Sequence, residues 1–262
     1  MEDRLLFFDP PAAIDAPSKQ PLLRAHAPGE VLLFAVWSRI QPSAEEYDAD
    51  SLTRLRERLM RLIARGVEPV VCLYRAGDAP AWFTDQGGWE REDNLRCYLR
   101  YVNRVVLEIG HLAREYVTFF APNDEVWRSG ALLSLPRRAR NLSHMACDHV
   151  RAYRLIRDIR SQHGWEETRV GFVLRMAPAR ELRRGKLPMT GTLNTAIYET
   201  LTLQAMARGN FRLPLRNVLR VQRGQWCDFV AILCRESAEV ECAARASDAC
   251  APLRFLRREE DF

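Results

Sequence analysis

The chain has 262 residues, of which 47% are hydrophobic and 28% charged, enough to bury the core of one large domain. Its formal net charge of +5 comes almost wholly from arginine, which gives a nucleic-acid partner only weak support. No apolar stretch approaches the roughly 20 residues that span a bilayer, and the start, Met1–Arg4, lacks the basic region and apolar core of a signal peptide. We therefore expect a cytoplasmic protein with no membrane segment.

Strands and helices alternate along the sequence. Short apolar runs predict strands at Leu5–Phe8, Val31–Trp37, Pro69–Tyr74, Tyr116–Ala121, Val170–Arg175 and Asp228–Cys234, with a doubtful seventh at Leu253–Leu256. Apolar residues at helical spacing predict helices from a cap at Ser43 or Asp50 to Gly66, from Arg91 to Leu112, from Asn141 to Gln162 and from Thr192 to Gly209. Repeated strand–helix units form either an open doubly wound sheet or a (β/α) barrel.

Cofactor and metal motifs are not evident. No Gly-x-Gly-x-x-Gly follows a predicted strand and no P-loop occurs, so no nucleotide cofactor is predicted. The seven cysteines include Cys227, Cys234, Cys242 and Cys250, whose spacing lacks the close pairs that bind zinc. We therefore predict neither a metal site nor a cofactor.

Three segments carry a resemblance to a known family. Trp37-Ser38-Arg39-Ile40-x-Pro42, the run Gly66–Tyr74 and Gly87-Gly88-Trp89 are similar, in sequence and spacing, to segments of family 1 glycoside hydrolases, the β-glucosidase and 6-phospho-β-glucosidase group. The resemblance covers roughly residues 31–235, whereas family members are nearly twice as long. It implies an α/β fold, which we predict to be a truncated, partly open (β/α) TIM-type barrel with about six parallel strands. We expect one domain over residues 1–262, with an irregular lead at 1–30 and a tail of uncertain structure at 236–262.

The catalytic residues that the resemblance implies are missing. Retaining hydrolysis needs two carboxyl groups about 5 Å apart. Where the family reads Thr-Phe-Asn-Glu-Pro, this chain reads Thr118-Phe119-Phe120-Ala121-Pro122, so Ala121 replaces the catalytic acid. The sugar-binding histidine aligns with Arg75, and no Thr-Glu-Asn-Gly segment that would carry the nucleophile occurs in these residues. Asp124 and Glu125 lie too far past Ala121 to substitute, so we predict no two-carboxylate hydrolysis.

Three arginines are candidate ligand-binding residues. Arg39, Arg75 and Arg175 follow successive predicted strands, at the face where barrel enzymes build their sites. If they converge, they form a cationic pocket for phosphate, carboxylate or a sugar phosphate. In the alternative interpretation the three arginines point apart into solvent, or each pairs with a local acid such as Asp78, Asp124 or Glu125.

Other candidates also have two interpretations. Trp37 and Trp127 could stack on a sugar ring, and Trp37 is explained equally well by core packing. Cys234 is a candidate nucleophile if a base lies near it and the arginines favour its thiolate, and otherwise is a buried, inert thiol. Asp124, Glu125 and Cys234 are the candidate catalytic residues.

The leading functional hypothesis is a degenerate family 1 glycosidase-like protein without hydrolase activity. It would bind or regulate a partner, with an anionic ligand or sugar phosphate at the carboxyl end of the barrel. The alternatives are an enzyme with new chemistry on the same face, for example in small-molecule biosynthesis, and, with less support, a residual β-glycosidase. Two clusters of basic residues favour RNA or DNA binding only weakly. They are Arg137, Arg138 and Arg140, and Arg180, Arg183, Arg184 and Lys186.

The number of strands also predicts a partner. Because parallel barrels close with eight strands, a shorter one is expected to leave two edges for a second copy of the chain or a protein partner to cover.

Overall fold

The fold of the described residues consists of seven parallel strands that alternate with helices. The computed structural model describes residues 5–8, 30–128, 135–165, 167–176, 195–234, 239–246 and 251–258. The strands are β1 (Leu5–Phe8), β2 (Glu30–Phe34), β3 (Glu68–Cys72), β4 (Glu115–Phe120), β5 (Arg169–Arg175), β6 (Phe229–Leu233) and β7 (Leu253–Arg258). The helices are α1 (Trp37–Ile40), α2 (Ala49–Ala64), α3 (Ala81–Asp85), α4 (Leu95–Ile109), α5 (Pro122–Arg128), α6 (Leu135–Gln162), α7 (Thr202–Arg208) and α8 (Glu239–Ala246).

The strands close into a ring. Each strand pairs in parallel with the next, and β7 pairs with both β6 and β1. The prediction of a truncated α/β barrel is confirmed. The expectation of a partly open barrel is wrong at these edges. β1 and β7, the strand that was predicted with doubt, pair with each other and satisfy each other's backbone hydrogen bonds. Open strand edges therefore give no reason to expect a second chain that covers them.

The ends of the chain contribute regular structure. β1 lies within the segment 1–30 expected to be irregular, and α8 and β7 lie within the uncertain tail at 236–262. Among the described helices, none is both long enough and apolar enough to cross a membrane.

Several helix boundaries differ from the sequence prediction. Asp48 caps α2, because its Oδ2 accepts a hydrogen bond from the Ser51 backbone N–H at 2.8 Å; neither Ser43 nor Asp50 is the cap. α6 begins at Leu135, ahead of the predicted Asn141. The helix predicted from Thr192 divides into a π-helical segment, Thr195–Leu201, and α7.

Alternate strand residues fill the barrel interior. Those that pack there include Leu32, Phe34, Val70, Cys72, Val117, Val173, Phe229 and Ala231. Gly171 leaves room for one of them, because a Cβ at this position would lie 2.7 Å from the Phe229 ring. The barrel is therefore a packed core.

Buried charges close the amino-terminal end of the barrel. Arg254 Nη1 lies 3.0 Å from Glu30 Oε2 and 2.6 Å from Glu115 Oε2. All three side chains are at most 6% exposed. Arg169 Nη2 also binds Glu115 Oε1, at 2.7 Å, and the Arg254 guanidinium lies 4.0 Å above the centre of the Phe229 ring. This base cluster (Glu30, Glu115, Arg169 and Arg254) links β2, β4, β5 and β7.

One carboxyl on α6 is buried without a hydrogen-bond partner among the described residues. Neither oxygen of Asp148 has such a partner there, and Arg151 Nη1 lies 3.8 Å from Oδ1. Burial raises the pKa of Asp148 well above its usual value, although Arg151 acts in the opposite direction. Asp148 therefore keeps its proton at pH values where an exposed aspartate has lost it.

We expect Asp148→Asn to change how stability depends on pH. Above about pH 3.9 the unfolded wild type loses the Asp148 proton while the folded state retains it, so the free energy of unfolding falls by about 1.4 kcal/mol per pH unit up to the folded pKa. The variant lacks this loss, so its stability relative to wild type should rise with pH over that range. Urea denaturation at a series of pH values measures the difference. Asp158→Asn, exposed on the same helix, is the control, and an equally flat difference for both variants would contradict a raised pKa.

Candidate functional site

Two phenylalanines fill the carboxyl end of the barrel, called here the barrel mouth (Phe34, Arg75, Phe120 and Arg175). The register of β4 shifts between Val117 and Phe120, which places Phe120 inside the barrel. Its ring meets that of Phe34 edge to face, with the ring centres 5.6 Å apart. Phe120 is only 9% exposed, so the two rings occupy the mouth.

Ala121 follows this shift in an unusual backbone conformation. Its φ of 49° lies in the left-handed region that residues with a Cβ rarely adopt. The Ala121 N–H donates to the Val173 carbonyl at 2.9 Å, and α5 begins at the next residue. The chain therefore leaves the barrel at the position where the sequence lacks a glutamate.

Arg75 binds a buried acid at the mouth. Its Nη2 donates to Asp78 Oδ1 at 2.9 Å, and its guanidinium lies 4.8 Å from the centre of the Phe34 ring. Arg75 Nε and Asp78 Oδ2 are buried, and neither atom has a hydrogen-bond partner within the described part of the chain. Burial raises the pKa of Asp78, and Arg75 and then Arg39, on α1, act against this rise. Two arginines therefore act on one carboxyl group.

Arg175 is also paired with a neighbouring acid. Its Nη1 donates to Asp124 Oδ1 at 2.7 Å. Asn123 positions the backbone of Arg175: its Nδ2 donates to the Arg175 carbonyl at 2.7 Å, and its Oδ1 accepts from the Arg175 N–H at 3.2 Å. Arg75 and Arg175 thus each bind a local acid, as the alternative interpretation expects.

The other candidates on α5 are partly described. Asp124 is engaged with Arg175, and its N–H donates to the Ala121 carbonyl at 3.0 Å. Glu125 and Trp127 lie in the same helix, but their side chains are outside the described residues. Among the described residues, no group of three or more His, Cys, Asp or Glu side chains is arranged to hold a metal ion.

A family comparison agrees with this architecture. The family model described as "Glycosyl hydrolase family 1" matches residues 30–223. The chain belongs to glycosyl hydrolase family 1. The matched segment runs from β2 to the approach to β6 and includes Ala121, at the end of β4.

Solved glycosidases share the fold of this family 1 member. A beta-glucosidase from Exiguobacterium marinum is 18% identical, with a TM-score of 0.62, over 78% of this chain and 51% of that chain. A beta-glycosidase from Pyrococcus horikoshii is 23% identical, with a TM-score of 0.61, over 78% and 48%. "Beta-glucosidase 25" of Oryza sativa subsp. japonica is 28% identical over 114 residues, 42% of this chain and 23% of the rice protein. The chain spans about half the length of the solved glycosidases.

The motif residues that carry the family resemblance build the packing beneath the mouth. Trp37 is fully buried, and its Nε1 donates to Gln41 Oε1 at 2.9 Å. The rings around it are Tyr74, Trp82, Phe83, Trp89, Tyr98 and Tyr101, all with centres within 6.3 Å. The interpretation of Trp37 as a residue that stacks on a ligand is wrong, because its ring faces the core and is closed to solvent.

The histidine of α6 beside β4 is structural. His149 Nε2 lies 2.8 Å from the Trp226 carbonyl, which can only accept, so this nitrogen carries the proton. Its Nδ1 then accepts from the Thr118 hydroxyl at 2.7 Å. Burial lowers the pKa of His149 to about 3, against the hydrogen bond to Trp226. The ring is neutral and both nitrogens are occupied, so His149 is not available as a catalytic base.

Cys234 lies beside residues of α8 that the sequence analysis does not identify as its neighbours. It follows β6 directly, is partly buried, and forms a hydrogen bond with Cys242 on α8. Arg245 lies one turn beyond Cys242, and Glu199 of the π-helical segment binds that arginine. The spacing of three residues between Cys242 and Arg245 indicates that they are neighbours if the segment is helical. Their contact with Cys234 cannot be predicted from the sequence, because it depends on how α8 packs against the end of β6.

The basic clusters are only partly described. Arg137 is on α6, and its Nη2 lies 2.6 Å from Glu90 Oε1. Arg180 to Lys186 lie outside the described residues.

Proposed function

We propose that this family 1 member does not hydrolyse glycosides and acts instead as a binding or partner-regulating protein. The observation that carries the proposal is Ala121 at the position of the acid, with Phe120 turned into the mouth against Phe34. An alanine can neither donate a proton to a leaving oxygen nor attack an anomeric carbon. The two rings also fill space that a substrate would need.

The nearby carboxyl groups do not restore the acid. Asp124 is held by Arg175 at 2.7 Å, and a paired carboxylate is a poor general acid because the guanidinium favours its charged form. Asp78 is bound to Arg75, so either acid would have to leave its arginine before it could serve in the reaction.

The proposed ligand is a small anion of the phosphate or sugar phosphate class. Arg39 and Arg75 act on the same buried acid, Asp78, whose pKa is raised by burial. Protonation of Asp78 on ligand binding would release the charge of Arg75 to the ligand. Arg75 Nε is a buried donor that has no hydrogen-bond partner among the residues described, and a phosphate could accept from Nε and Nη2 together.

The hydrolytic part is tested with nitrophenyl β-glucoside and its 6-phosphate. We expect no release of nitrophenol above the rate without protein. The variants Asp124→Asn and Glu125→Gln remove the two carboxylates that follow Ala121. Turnover by the wild-type chain that either variant abolishes would overturn the proposal.

The ligand class is tested by thermal shift with inorganic phosphate, glucose and glucose 6-phosphate. A ligand at about 100 times its Kd stabilises the folded state by about 2.7 kcal/mol, so phosphate and glucose 6-phosphate should raise Tm and glucose should not. Arg75→Met should remove the shift. Arg114→Met, which breaks an exposed pair with Glu167, should keep it. A shift unaffected by Arg75→Met would place the anion elsewhere.

A further inference from the structure

Two thiols and an arginine meet beside the carboxyl end of β6. Cys234 is partly buried and Cys242 is fully buried, and both carry thiols in this structure. Cys242 lies beside the end of β6, because its sulfur is 4.0 Å from the Met176 carbonyl and the Met176 N–H donates to the Leu233 carbonyl at 3.0 Å. Cys234 is the next residue and forms a hydrogen bond with Cys242. Arg245 Nη2 lies 3.7 Å from the Cys242 sulfur. The Glu199 carboxylate lies 3.1 Å from Arg245 Nη1 and helps to hold the guanidinium in place. We call this group the thiol cluster.

The surroundings of Cys242 favour its thiolate. The hydrogen bond with Cys234, and then Arg245, lower the pKa of Cys242 to about 7, against burial and the Glu199 carboxylate. Two other buried thiols, Cys147 and Cys227, behave in the opposite way. Burial raises the pKa of Cys147 to about 11 and that of Cys227 to about 12.

The two cysteines differ in access to solvent. Cys234 is partly exposed at the end of β6, whereas Cys242 is covered. A reagent from solvent therefore meets Cys234 first. The hydrogen bond gives the Cys234 proton a path to the Cys242 sulfur, which supplies the neighbouring base that a nucleophilic cysteine requires.

We propose that Cys234 and Cys242 form a dithiol site that exchanges with small-molecule disulfides. Cys234 is the attacking residue and Cys242 the resolving residue. Arg245 is a positioning residue that stabilises the negative charge on Cys242. The proposal is independent of any ligand at the barrel mouth.

The exchange balances in two steps. Cys234 passes its proton to the Cys242 thiolate and attacks one sulfur of the small disulfide, which forms a mixed disulfide and expels one small thiolate. The expelled thiolate takes up the proton from Cys242. Cys242 then attacks the Cys234 sulfur, forms the protein disulfide and expels the second small thiolate, which is protonated by solvent. The protein pair is oxidised, and the small disulfide is reduced to two thiols.

Oxidised glutathione is the probe, and peptide mass spectrometry of the folded chain identifies the products. In the wild type we expect a disulfide between Cys234 and Cys242 with no glutathione retained. Cys242→Ser should trap glutathione on Cys234, and should react roughly threefold to tenfold more slowly at neutral pH, because the thiolate that accepts the Cys234 proton is gone. Cys234→Ser should lose the rapid reaction, since Cys242 is covered.

Cys97→Ser is the matched control. Arg100 Nη2 lies 3.7 Å from the Cys97 sulfur, the same distance and helical spacing as Arg245 and Cys242, so this variant removes a thiol beside an arginine but leaves the thiol cluster intact. It should react as the wild type does. Arg245→Lys should slow the reaction but give the same disulfide.

Three results would overturn the proposal. They are a wild-type product with glutathione retained on Cys234, equal rates for the wild type and Cys242→Ser, and loss of the rapid reaction in Cys97→Ser. Far-UV circular dichroism of each variant establishes that the chain is folded, and the wild-type product alone tests the pairing if a variant is not.

Discussion

Arg254→Met is expected to lower the free energy of unfolding by about 3–5 kcal/mol, the cost of removing one partner from a buried ion pair. Arg254 faces Glu30 and Glu115 inside the base of the barrel, and all three side chains are almost fully covered. Without the guanidinium, two buried carboxylates lose their common counter-charge. Arg169 remains beside Glu115, so it offsets part of the loss at that carboxylate.

Two further variants separate the charge effect from loss of packing. The triple variant Arg254→Met, Glu30→Gln and Glu115→Gln removes the uncompensated charges, so we expect it to recover much of the stability that Arg254→Met loses. Arg54→Met, which breaks an exposed pair with Asp48, should cost less than about 1 kcal/mol. Urea denaturation measures all three. If Arg254→Met cost no more than Arg54→Met, the base cluster would not hold the barrel together.

The base cluster also shows what the sequence could and could not predict. Apolar runs and helical spacing are local, so the strands and the barrel class could be predicted. The closing strand β7 is harder to predict, since Leu253-Arg254-Phe255 places an arginine where a buried strand normally has an apolar residue. Its partner Glu115 is 139 residues away in sequence, and no local pattern predicts such a pairing.

The barrel mouth shows the same division. The position of Ala121 at a strand end followed from the resemblance to the family. The orientation of Phe120 did not, because it depends on the register shift in β4, and strict alternation would place Phe119 on the interior face with Val117. The pairs Arg75–Asp78 and Arg175–Asp124 depend on side-chain geometry, although the sequence allows both acids as candidate partners.

The second large effect is expected at Trp37. Trp37→Ala removes a fully buried indole from a cluster of aromatic rings and should lower the free energy of unfolding by about 3–5 kcal/mol. It also deprives the buried Gln41 Oε1 of its donor, which adds to the loss. Trp37→Phe keeps a ring in the cluster and should cost less. Urea denaturation gives the three free energies.

The same variants distinguish core packing from ligand stacking. A tryptophan that stacks on a ligand is accessible in the unbound protein, so its removal would weaken binding and leave stability nearly unchanged. Trp37 is the first residue of α1, three residues after the end of β2, and its ring contacts with Tyr74 and Trp89 join it to the segment after β3. Loss of its packing should therefore disturb the strand ends that place Phe34 and Arg75. If Trp37→Ala proved as stable as the wild type but no longer gave a phosphate-dependent rise in Tm, Trp37 would be a ligand contact and the cluster would open in solution.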